Sequence, residues 1–404
     1  MMPTPIVHQD REVKLLSNLE SESNADLEIF YATNRMPMGE GAKPWYGNEV
    51  SQGMRVGINR IRFGERPLTL KALIKATTKG EREEEIPMNL DRVSEQAVIS
   101  QVDITNPSPE ACKFAEGVNE VLKKSKFKKI HLYVHGAKSS FFLSAVQGGQ
   151  LHHFMARDGV FISVSWPTTQ SFLSYKKDVR ASRQSIEPFV NLLDFLAHHT
   201  DVEDINIIAY SAGSRVVAPA LALLRQRYEH LERKQLLSEL KIREVYFAAP
   251  DVGTVPFVGE YLPNFYPLVA RTSVTQQSED LVLKMSAIAN KASRLGRPDK
   301  DELTEEQIQW LVDAANARRL DWIDMAFEDG ERPVNFKKHA YWYSNPWVSS
   351  DVILQFLSHE RPDKRGLIRR PGDKPIWYFP KDYPERVRAA MKEMRKKYRD
   401  GEYD

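Results

Sequence analysis

The segment INIIAYSAGSRVVAPALAL (205–223) decides how this chain reads. An apolar strand runs into Ala209-Tyr210-Ser211-Ala212-Gly213, and a helix begins at once. A serine on a sharp strand-to-helix turn is held outward, and the crowding of that turn demands small residues two places before and two after it. Gly213 meets the second demand, and Ala209, the next smallest residue, stands at the first. The bare pattern Ser-x-Gly is weak, since Ser51-Gln52-Gly53 repeats it by chance. Its position between a buried strand and an apolar helix is what discriminates. A helix start there also offers unbonded N–H groups and a positive dipole end to a developing oxyanion. The plainer reading makes Ser211 only a helix cap.

Outward from the turn, strands and helices alternate. KIHLYVHG (129–136), GVFISVSWP (159–167), REVYFAAPD (243–251), LVARTSVTQ (268–276) and LDWIDMAF (320–327) read as strands, the last closing the core. Helices are predicted over 109–125, 174–199, 214–240 (kinked at Pro219), 304–319 and 348–360. Thr304 and Gln307 form a capping box. Such alternation means a mainly parallel sheet with helices on its faces. Before it, LEIFYAT (27–33) and the alternating MRVGINRIRFG (54–64) read as N-terminal strands, and the charge-rich stretch 79–95 as a solvated loop. Residues 1–26 read as a polar arm, 27–359 as one catalytic body and 360–404 as a basic tail with a helix. Within the body, 281–320 reads as a helical insertion before the last strand, a lid or an edge decoration.

A serine hydroxyl needs a base to take its proton. On sheets that present serine in this way, the acid and then the histidine follow it in the chain. Only His230, His339 and His359 lie downstream. His230 sits in the polar end of the helix leaving the turn, and His359 ends a helix with its side chain expected outside. His339, in FKKHAYWYSNP after the last predicted strand, is the base this reading selects. Asp280, after the second strand beyond the serine, is the favoured acid, and Asp251 the alternative. The backbone N–H of Ala212, with that of Ala137 or Lys138 after the 129–136 strand, would form the oxyanion hole. Trp166, Phe257, Tyr261 and Tyr341 are candidate pocket walls.

The composition narrows the alternatives. A chain of 404 residues with 42% hydrophobic and 10% aromatic residues builds a full core, and a net charge of +2 gives no case for nucleic acid. One cysteine, Cys112, excludes a disulfide framework and a multi-cysteine metal site. GAKSS (136–140) lacks the glycines of a phosphate loop, and His131 and His135 lack a third metal ligand. No cofactor is required. No export signal and no run of about 18 apolar residues is read, so a cytoplasmic protein without a transmembrane segment is expected.

With these residues in place, the chain resembles a family of uncharacterised bacterial α/β-hydrolases, the esterase/lipase-superfamily proteins of unknown function. The likeness runs through Phe30-Tyr31-Ala32-Thr33-Asn34-Arg35, Tyr46-Gly47, His135-Gly136, Ser165-Trp166-Pro167, Tyr175 and Asp178. It continues through the Ser211 turn, Ala248-Ala249-Pro250-Asp251, Ser278-Glu279-Asp280, Leu281, Ser286 and Lys338-His339-Ala340-Tyr341. The resemblance implies the α/β-hydrolase fold and a Ser211–Asp280–His339 triad. The chain departs from the family at Tyr210-Ser211-Ala212-Gly213, where His-Ser-Met-Gly is usual. It departs again at Gly136-Ala137-Lys138, where Gly-Phe-Asn is usual, and at Lys338, where the histidine motif has Gly. The expected activity is hydrolysis of a small-molecule carboxylic ester or thioester through an acyl-enzyme. The alternatives are an amidase or peptidase with the same triad, or a non-catalytic binding protein on this scaffold.

Overall fold

Every residue of KIHLYV (β4, Lys129–Val134) and VFISVS (β5, Val160–Ser165) is buried, as helices on both faces of a parallel sheet require. The computed structural model describes residues 1–9, 15, 16, 19, 21–39, 41, 43, 45–80, 82, 84–171, 174–325, 339–370 and 375–400, the last six by backbone alone. The other strands are β1 (Leu27–Pro37), β2 (Tyr46–Phe63), β3 (Met88–Ile99), β6 (Asp204–Tyr210), β7 (Ile242–Ala248), β8 (Arg271–Gln276), β9 (Leu320–Asp324), β10 (Ile368–Arg369) and β11 (Ile376–Tyr378). They form one sheet in the order β10-β11-β9-β8-β7-β6-β4-β5-β1-β2-β3. From β1 through β5, β4 and β6 to β9 all neighbours are parallel, so their carboxyl ends share one edge. β2 and β3 add an antiparallel flank.

The two-residue period of the strands sorts side chains into two cores. Ile130, Leu132, Val134, Ile205, Ile207 and Ala209 face one, packed under α1 (Pro109–Lys124), α4 (Ile186–His199) and α5 (Ser214–Arg227). Tyr133 and Ile208 face the other, under α2 (Phe141–Phe154) and α9 (Pro346–Ser358). Further helices include α3 (Tyr175–Gln184), α6 (Arg233–Leu240), α7 (Leu281–Asn290), α8 (Glu305–Asn316) and α10 (Tyr383–Asp400). The helices expected over 174–199 and 214–240 are each two, α3 with α4 and α5 with α6. The expected capping box of α8 forms at Thr304 and Gln307.

Several expectations are corrected. The stretch 79–95 is not all loop, because β3 begins at Met88. Its charges make cross-strand pairs, Arg92 with Glu28, Arg62 with Asp91 and Arg55 with Glu95, at 2.7–2.9 Å. The strand signal is masked by that charged outer face. β9 is not the last strand, since β11 pairs with it in parallel and β10 follows. The tail from 360 therefore extends the sheet. Residues 326 and 327 of the predicted LDWIDMAF strand lie outside the described residues. The first residues do not lie loose: Met2, Ile6, Val7 and His8 are buried, and His8 Nε2 donates to the Phe154 carbonyl at 2.7 Å. His359 is held near Asp204 at 3.2 Å and Glu244 at 3.4 Å rather than projecting outward.

A buried ion pair joins the tail to α9. Arg365 and Asp351 are both 0% exposed, with Arg365 Nε 2.6 Å from Asp351 Oδ1. Burial opposes the guanidinium charge, and Asp351 more than offsets it, raising the Arg365 pKa above its ordinary value. Removing one partner strands a buried charge. Arg365→Leu is expected to lower unfolding stability by about 3–5 kcal/mol, read from urea melts.

Candidate active site

Ser211 occupies the turn between β6 and α5 with φ of +49°. A non-glycine residue in this left-handed region carries a strain of about 1–3 kcal/mol, which the surroundings must hold. The Ser211 carbonyl accepts from Asp251 N at 3.1 Å and from Ser214 Oγ at 2.6 Å. Ser214 Oγ in turn accepts from Val252 N at 3.0 Å. The back of the turn is thus bolted to the end of β7. A Cβ on Gly213 would lie 2.5 Å from the Val134 carbonyl oxygen, which explains the small residue read from the sequence. Lys138, after β4, and Ala249, after β7, also take positive φ, 56° and 47°. Three backbone positions of this kind therefore stand at the carboxyl ends of the strands around the serine.

His339 brings its imidazole to this turn. Its Nε2 lies 2.6 Å from Ser211 Oγ and its Nδ1 lies 2.6 Å from Asp280 Oδ2. A carboxylate at Nδ1 selects the tautomer that donates there and leaves Nε2 to accept the serine O–H. Asp280 is 1% exposed and caps α7, its Oδ1 accepting from Leu283 N at 3.0 Å. One carboxyl oxygen fixes the helix, and the other holds the imidazole. Lys338, the first residue of the expected histidine motif, lies outside the described residues.

The alternative acid is engaged elsewhere. Asp251 Oδ2 accepts from Arg215 at 2.7 Å and Oδ1 from Ser286 Oγ at 2.5 Å, with Arg294 Nε at 3.8 Å. Arg215 also donates to the Tyr175 hydroxyl. Asp251 therefore ties α5 to α7 while the imidazole is met by Asp280.

On the other side stands the loop after β4. Gly136 packs on the serine: a Cβ there would lie 2.8 Å from Ser211 Cβ and 3.1 Å from Tyr210 Cδ1. Gly136→Ala is expected to lower turnover by about 10²-fold while the protein stays folded, by displacing the Ser211 side chain. Steady-state rates and circular dichroism together check this. The candidate oxyanion donors of Ala137 and Lys138 follow directly, and Ala212 is the second residue of the short helical turn Ser211–Gly213, a place where a helix has no intrahelical acceptor for its N–H groups. His135 is not a base here. Burial first, then the nearby Arg35, lower its pKa to about 3. Its ring stacks on Trp166 at 5.6 Å, and Trp166 Nε1 donates to its carbonyl at 2.7 Å.

Two residues given no role in the sequence reading support the site. Arg35, 0% exposed, donates to the Ser139 carbonyl at 2.6 Å and to Ser165 Oγ at 2.9 Å, fixing the 136–140 loop to β5. Tyr210 lays its ring 5.6 Å from that of His339 and beside Trp342 and Tyr343. The signal for Tyr210 was its place immediately before the serine. Arg35 stands in the Phe30–Arg35 stretch of the family likeness, but these two partners lie 104 and 130 residues away, beyond the reach of a local pattern.

The expected pocket walls are corrected. Phe257 is 0% exposed and packs against Phe247 and Phe265. Tyr341 is buried with its hydroxyl 2.7 Å from Thr275 Oγ1, Trp166 is the stacking partner of His135, and Tyr261 packs half-buried on the core. Aromatic side chains beside a sheet end gain more by joining the core than by facing water. A cavity of ≈ 580 Å³ lies instead beside α7, lined by Ser278, Lys284, Ile288, Arg297 and Asp324 among others, and none of the three central residues borders it. Among the described residues no cluster of three or more His, Cys, Asp or Glu side chains could hold a metal, and no helix is long and apolar enough to cross a membrane.

The sequence model of a family described as "Alpha/beta hydrolase of unknown function (DUF900)" matches residues 110–355. No curated protein matches the chain. Among solved structures, one described as "The structure of esterase Est22" is 11% identical with 85% of each chain covered and a TM-score of 0.34. A second, "Structure of esterase Est22", is 12% identical over 85% of this chain and 84% of that one, with a TM-score of 0.33.

Proposed function

This chain belongs to the DUF900 family of α/β-hydrolases, and on that premise we propose that it is a serine hydrolase of carboxylic esters or thioesters. The observation that carries the reading is the pair of 2.6 Å contacts through His339, to Ser211 on one side and Asp280 on the other. A merely structural serine cap has no need of an imidazole there, and a non-catalytic scaffold gives no reason to orient that imidazole with a buried carboxylate.

The chemistry follows from the contacts. His339 Nε2 takes the Ser211 proton as Oγ attacks the acyl carbon, and Asp280 stabilises the imidazolium without accepting its proton. The oxyanion is held by the Ala212 N–H and by one from Ala137 or Lys138. Collapse of the tetrahedral intermediate expels the alcohol or thiol, which takes the proton from Nε2. Water then repeats the sequence on the acyl-enzyme and releases the acid.

A fluorophosphonate probe tests the assignment. The wild-type protein is expected to take up one phosphonyl group on Ser211, seen by intact mass and peptide mapping. A folded protein that stays unlabelled overturns the reading. A panel of matched esters, thioesters and amides then separates esterase from amidase, since the triad serves either.

A further inference from the structure

The helix α7 is apolar on its outside. Its buried positions are Leu283 and the polar Ser286, whereas Leu281, Val282, Met285 and Ile288 are 65%, 44%, 64% and 71% exposed. Residues 281, 285 and 288 share one stripe at helical spacing. A surface helix ordinarily turns such a stripe inward. Exposed side chains of the same kind stand in the first turn of α2, Phe142 and Leu143, and after β7, Val255. Because β4, β7 and β8 run parallel to β6, all of these emerge at the edge of the sheet that carries Ser211. The stripe also begins one residue after Asp280.

The charge on α7 indicates the occupant. Leu281–Lys291 contains exposed Lys284 and Lys291 and no acidic residue. A second copy of the chain, meeting the middle of this helix about a two-fold axis, would set Lys284 close to its own equivalent. An apolar stripe flanked by lysines is instead the composition of a helix that lies in an anionic lipid interface. We infer that this edge docks on a lipid surface bearing anionic headgroups, with the α7 stripe in the acyl boundary. Its substrates are then esters presented by that surface. The second statement rests on the serine-hydrolase reading; the docking does not.

The test separates the two. The full chain carrying Ser211→Ala is floated with vesicles of phosphatidylcholine, with or without phosphatidylglycerol. It is expected to float with the anionic vesicles, and Met285→Ser/Ile288→Ser is expected to lower the bound fraction at least tenfold with unchanged circular dichroism. With Ser211 intact, the double variant should hydrolyse a soluble short-chain ester within twofold of wild type and a vesicle-borne ester at least tenfold more slowly. Absence of flotation, or flotation undiminished in the double variant, overturns the docking. So does sedimentation of the wild type as a dimer and of the double variant as a monomer. Flotation lost in the double variant supports the docking even where no ester is turned over, an outcome that counts against the catalytic reading alone.

Discussion

Ser211→Ala is expected to lower kcat on any ester the protein turns over by on the order of 10⁶-fold, with KM nearly unchanged. The substitution removes a single oxygen from a side chain that is 5% exposed. The backbone contacts that hold the turn run through the Ser211 carbonyl, from Asp251 N and Ser214 Oγ, and they survive. Alanine also tolerates the left-handed backbone of this residue no worse than serine does. Fold and stability should therefore stay close to wild type while the nucleophile is gone. Rapid mixing of enzyme with excess substrate checks this: the acyl-enzyme burst should vanish. A variant that keeps more than a few per cent of wild-type turnover would move the chemistry away from this serine.

Asp280→Asn is expected to lower kcat by about 10⁴-fold through a different route. Asparagine can still accept from Leu283 N and cap α7, as Asp280 Oδ1 does at 3.0 Å. It also presents an amide N–H₂ where the carboxylate Oδ2 met His339 Nδ1 at 2.6 Å. To accept from that amide, the imidazole must carry its proton on Nε2, which then cannot take the serine proton. The negative charge that stabilises the imidazolium is lost as well. The expected signature is low kcat, intact binding of an unreactive substrate analogue and a preserved melting temperature. The analogous Asp251→Asn change should instead loosen the contact with Arg215 and Ser286 without altering the tautomer of His339.

Taken alone, the sequence determined the mainly parallel sheet, the turn at Ser211 and the order in which its partners follow, because each is written in a local pattern. Strands such as β4 and β5 are short apolar runs, and Gly213 stands where a Cβ would strike the Val134 carbonyl. Two carboxylates fitted the place of the acid, and the order of strands favoured Asp280 over Asp251. What only the fold shows is the partner each one finds: Arg215, four residues past the serine on α5, engages Asp251, and Asp280 at the start of α7 meets the imidazole. Tertiary structure likewise drew the supposed pocket aromatics into the core, brought Arg35 under the Ser139 carbonyl across 104 residues and added β10 and β11 from the tail. Those outcomes depend on which distant groups satisfy one another when buried, and a linear pattern with a period of a few residues carries no record of partners a hundred residues away.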